Sequence, residues 1–113
     1  SETSMTQQHL IFDAYAQGGQ PAVVRVPLPS KRLGDQVMEL VRLLTGTQLP
    51  VGIRCVWAAD SVVMVLPAQH DFEEPLQNLA RQLQTLLGGR PVARSYMTYV
   101  DYLGAMEIVR DYP

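Results

Sequence analysis

Residues 9–28, "HLIFDAYAQGGQPAVVRVPL", decide the fold class. Two extended runs flank "QGGQ", where Gly18 and Gly19 supply the positive φ that a tight hairpin turn requires. Directly after them, "SKRLGDQVMELVRLLTG" (residues 30–46) places Leu33, Val37, Leu40 and Leu44 at helical spacing, with Ser30 as N-cap and Gly46 as stop. Gly34 weakens the first turn. The unit is a hairpin followed by a helix.

The same order then recurs. "VGIRCVW" and "VVMVLP" flank "AADS" as a second hairpin, and "DFEEPLQNLARQLQTLLGG" (71–89) forms a second helix with the stripe Leu76, Ala80, Leu83 and Leu87. Asp71 with Glu74 makes a capping-box-like start, Pro75 falls in the first turn, and Gly88 and Gly89 end the helix. "VVMVLP" is apolar at both parities and therefore reads as a central strand. Pro21, Pro50 and Pro91 each stand just before a strand.

A third unit opens with the extended run "ARSYMTYV" (93–100), and "AMEIVR" (105–110) follows as its return strand. The expected fold is α+β: a two-layer, mainly antiparallel sheet with two helices on one face, in the order ββαββαββ. The last hairpin has an alternative, a strand plus a C-terminal helix. Leu103, Met106 and Val109 are spaced three apart, and Ala, Met, Leu and Glu are good helix formers. The repeated order, and the Tyr, Thr and Val before this segment, favour the strand. Residues 1–8 read as a flexible N-terminal tail, and 9–113 as a single domain with hairpin-helix units at 9–46 and 50–89.

Composition narrows the classes. At 113 residues, 47% apolar and 18% charged, the chain suffices for one packed domain. No apolar run reaches the roughly 18 residues of a membrane span, and "SETSMTQQ" lacks the features of a signal peptide, so a cytoplasmic protein without membrane attachment is expected. The single cysteine, Cys55, excludes an intramolecular disulfide and fits a reducing compartment. A net charge of -2 lacks the broad positive field of non-specific nucleic-acid binders.

Catalytic signatures are missing from the sequence. His9 and His70 lie far apart, and the imidazole and carboxylates of "HDFEE" are explained by helix capping and the helix dipole rather than by metal binding. Cys55 shares its parity with Val51, Ile53 and Trp57, the core side of its strand, where burial makes a thiol unreactive. Asp60 and Asp101 both fall where turns are expected. "GxSxG", "GxGxxG" and Walker motifs do not occur. No catalytic residue, cofactor or metal is expected.

Two surface patterns remain. "PAVVR", "PVGIR" and "PVAR" place Arg25, Arg54 and Arg94 at nearly matching positions in three strands, a basic line across the open sheet face if the strands align, with Arg94 one residue out of register. Tyr96, Tyr99, Tyr102 and Tyr112 crowd the C-terminal segment, and tyrosine favours interfaces because it buries a large ring beside a polar tip. A sheet covered on one side also leaves Val23, Val56, Val63 and Val65 to be buried by a second copy. The expected function is that of a small protein-binding module, an adaptor, assembly factor or regulatory subunit, that forms a homodimer or binds another protein. Its expected interface is Tyr96, Tyr99, Tyr102, Arg25, Arg54 and Arg94. The alternative is a small-ligand or enzymatic domain with Arg54 and Arg94 beside a pocket near Trp57 and Tyr96. Nucleic-acid binding through an Arg/Tyr surface ranks third.

Overall fold

A computed structural model describes residues 10–112, so the expected N-terminal tail (1–8) and His9 lie outside the described residues. The order is β1 (Leu10–Tyr15), β2 (Ala22–Pro27), α1 (Lys31–Leu44), β3 (Arg54–Ala58), β4 (Ser61–Leu66), α2 (Glu73–Leu86), β5 (Val92–Tyr96) and α3 (Tyr99–Asp111). The class is α+β, with a five-stranded sheet in the order β3-β4-β2-β1-β5. All neighbours are antiparallel except β1 and β5, which run parallel.

The first hairpin closes as its turn residues dictate. Gly19 takes φ 85 and the Gln20 amide donates to the Gln17 carbonyl at 3.1 Å. Gly18 serves a different purpose, because a Cβ there would stand 2.9 Å from the His70 carbonyl oxygen. Two of the three inner strands, β2 and β4, pair over Ala22–Pro27 and Leu66–Ser61 and join the two hairpins into one sheet. Both faces of β4 are largely buried, as its unbroken apolar run requires.

Helices α1 and α2 lie on one face, over Phe12, Ala14, Val24, Val26, Val62, Met64 and Leu66. The Ser30 hydroxyl accepts from the Leu33 amide at 3.2 Å, and Gly46 leaves α1 at φ 88. The buried seam of α1 is Gly34, Val37 and Val41, whereas Leu33, Leu40 and Leu44 of the expected stripe are half-buried. The rotation has a cause: the Trp57 ring packs directly onto Gly34, which draws that residue to the centre of the contact. In α2 the seam is Leu76, Leu79 and Leu83, with Ala80 and Leu87 at its margin. Asp71 accepts from the Glu73 amide at 2.8 Å, so its carboxylate tethers the amide before the one a capping box would use.

The third unit departs from the repeat. Residues 99–111 form helix α3 rather than the return strand of a hairpin, so the strand-plus-helix alternative is the one realised. The reason is non-local. Two helices cover one sheet face, and α3 crosses the other, burying Val23, Val56 and Val63 beneath Tyr102, Ala105 and Val109. A return strand beside β5 would leave those valines in water. The molecule therefore has three layers, and the valines expected to be buried by a second copy are covered by the chain's own C-terminal helix. Among the described residues no helix is long and apolar enough to cross a membrane.

Candidate functional site

The C-terminal helix gathers most of the residues that the sequence marks for recognition. Thr98 starts α3, its hydroxyl accepting from the Asp101 amide at 3.2 Å, while Asp101 in the first turn and Arg110 in the last complement the helix dipole. Tyr102, Ala105 and Val109 fall at helical spacing and form the buried face. Tyr102 is 5% exposed and its hydroxyl donates to the Pro21 carbonyl at 2.9 Å. Burial, reinforced by the neighbouring Tyr15 and Tyr99, pushes its phenol above the usual range. This ring is part of the core, which corrects its expected place on an exposed surface.

Tyr99 and Tyr102 do meet, with ring centroids 5.8 Å apart. The third member of their cluster is Tyr15 of β1, at 4.3 Å from Tyr102 and 5.8 Å from Tyr99. The sequence held a signal for Tyr15, whose parity on β1 is opposite that of Phe12 and Ala14 and hence faces α3. Tyr96 is not in this cluster. It lies on the edge strand β5 beside Arg94, whose guanidinium carbon is 5.8 Å from the ring centroid.

The basic line across the sheet does not form. Arg25 donates to Asp13 at 2.7 Å and approaches Asp101 at 3.9 Å, while Arg54 donates to the Tyr112 carbonyl at 2.9 Å. Both arginines thus seat α3, one near its start and one at its end, where a cation also opposes the helix dipole. Arg94 pairs in register with Phe12, and parallel partners share a side, so it projects on the α1/α2 face. The mismatch of one residue noted in the sequence moved this side chain to the opposite surface. A single stacking platform for nucleic-acid bases is therefore not assembled from these six residues.

Nor do Trp57 and Tyr96 line a common pocket. Trp57 is on edge strand β3 and Tyr96 on edge strand β5, separated by the full width of the sheet. Cys55 is half-buried beside Met64, and burial pushes its thiol up to about 12. Among the described residues no three His, Cys, Asp or Glu side chains converge as metal ligands would.

Besides the charged Asp101, Glu107, Arg110 and Asp111, the exposed surface of α3 carries apolar residues. Val100 is 77%, Leu103 47% and Ile108 43% exposed, and between them a Cβ added to Gly104 would meet nothing. Val100, Gly104 and Ile108 are four apart and form one ridge along the helix, with Leu103 beside it and Glu107 and Arg110 at its margin. The sequence expectation centred on tyrosines and missed this ridge, because a helix apolar on two sides has no single stripe to detect. Comparison with protein-family models, curated proteins and solved structures finds no significant match to this chain.

Proposed function

We propose that this domain is a small cytoplasmic protein-association module, an adaptor, assembly factor or regulatory subunit, that self-associates through the outer face of α3. The observation that carries the reading is the ridge Val100, Gly104 and Ile108, left in water on a helix whose opposite side is already packed. Apolar side chains gain roughly 1.5–3 kcal/mol each on full burial, so such a ridge favours a partner.

A second copy suits the ridge. In a two-fold contact residue i meets j and j meets i, so an antiparallel pair centred on Gly104 sets Val100 of each helix against Ile108 of the other. Ridges built from residues four apart interdigitate at a crossing near -50°. Glycine at the crossing lets the backbones approach closely. Tyr99 packs with Tyr15 and Tyr102 on the side of α3 turned toward the sheet, so Tyr99, Tyr102, Arg25 and Arg54 support the contact by seating the helix.

Sedimentation across a concentration series tests the reading. Wild type should approach twice 12.6 kDa, and the exposed double substitution Val100→Glu with Ile108→Glu should remain monomeric with an unchanged circular dichroism spectrum. Gly104→Ala separates fold from association: it should stabilise the isolated helix by about 1 kcal/mol while weakening the dimer. Wild type that stays monomeric throughout, or a double variant that dimerises equally well, would overturn the assignment.

A further inference from the structure

The parallel edge strand β5 has an open side. The Leu10 amide donates to Pro91 and the Met97 amide to Ala14, so Pro91, Ala93, Ser95 and Met97 point their backbone groups at β1. The amides and carbonyls of Val92, Arg94 and Tyr96 therefore point outward, and among the described residues nothing bonds to them. A row of this kind is a template for a further strand. Beside it, between β5 and α2, lies a groove of about 210 Å³ lined by Phe12, Leu76, Ala80, Val92, Glu73 and Arg94.

The chemistry of the edge is basic. Arg90 precedes the strand and Arg94 sits at its centre, and among the described residues neither is paired with a carboxylate. Tyr96, 86% exposed, lies under the Arg94 guanidinium and limits its freedom. A second β5 is a poor occupant, since antiparallel pairing about the strand centre sets Arg94 beside its own copy, and like charges directly opposite destabilise a ladder.

We propose that the open edge of β5 docks an extended acidic peptide as a sixth, antiparallel strand, with a carboxylate on Arg94 and an apolar side chain two residues away in the groove against α2. Backbone pairing supplies affinity, and the two side chains, on one face of the added strand, supply specificity. This site is separate from the outer face of α3 and does not rest on self-association.

The probe is a fluorescein-labelled peptide, Ser-Val-Thr-Glu-Thr-Val-Ser, read by anisotropy against the full chain, with a control carrying Lys in place of Glu. Wild type should bind the Glu peptide at least about tenfold more tightly than the Lys peptide, and Arg94→Glu, an exposed substitution, should reverse that order. N-methylation of the Glu amide, which faces Arg94 in the paired strand, should abolish binding, whereas N-methylation of a neighbouring Thr should be tolerated. The Val100→Glu, Ile108→Glu variant should bind the peptide as wild type does. No binding at about 1 mM, a weak but measurable affinity for specific recognition, would overturn the proposal. So would indifference to Arg94→Glu, equal tolerance of both methylations, or loss of binding in the α3 variant.

Discussion

Replacing Gly34 with Ala sets local propensity directly against tertiary packing. In a helix interior the substitution is worth about 1 kcal/mol in favour of the folded state. In this protein an added Cβ would collide with Trp57 Cε3 and stand 2.5 Å from Cζ3. Carbon atoms rest about 3.5–4.0 Å apart, so the indole must retreat by roughly 1 Å, and overpacking of this size costs about 1–3 kcal/mol. The two effects leave a net loss of about 1 kcal/mol, or roughly 4 °C in Tm for a domain of this length. Thermal and urea melts at matched concentration, followed by circular dichroism, measure it. The decisive comparison is a Trp57→Leu background, where the collision is removed and Gly34→Ala should stabilise by about 1 kcal/mol, a coupling of about 2 kcal/mol in the cycle. If Gly34→Ala raises the Tm of the otherwise wild-type protein by the full propensity gain, the contact between α1 and Trp57 is wrongly placed.

Two further outcomes follow from the backbone and from Cys55. Ala59, in the turn between β3 and β4, takes φ 58, a left-handed conformation that disfavours a side chain by roughly 1–2 kcal/mol; Ala59→Gly should therefore raise the denaturant midpoint despite adding chain entropy, and an unchanged or lower midpoint would argue against that turn. Because the Cys55 thiol is pushed up to about 12 from 9.0, the unfolded chain ionises first, and stability should fall as pH rises from 9.0 toward that value. Cys55→Ala should make this alkaline loss shallower, as read from urea midpoints between pH 8 and 11, and equal slopes in both proteins would show the thiol to be solvated.

The order of hairpins and helices was legible because its determinants are local. Glycines in the 17–20 turn, Ser30 and Gly46 around α1, and the leucine spacing of α1 and α2 act within a few residues of themselves. The sequence also placed Arg25 and Arg54 on the side of the sheet away from α1 and α2, since strand parity alone sets that. It did not say what awaited them there. Whether residues 99–111 became strand or helix depended on whether Val23, Val56 and Val63 still needed cover, and that is a property of the assembled sheet. The same decision turned Tyr102 into core, committed both arginines to α3 and brought Val100, Gly104 and Ile108 to the outside. Which side of α1 faced inward was likewise settled by Trp57, a residue 23 positions away. Periodicity reports only that a segment has an apolar side; which surface that side meets is decided by the apolar area that distant segments leave exposed.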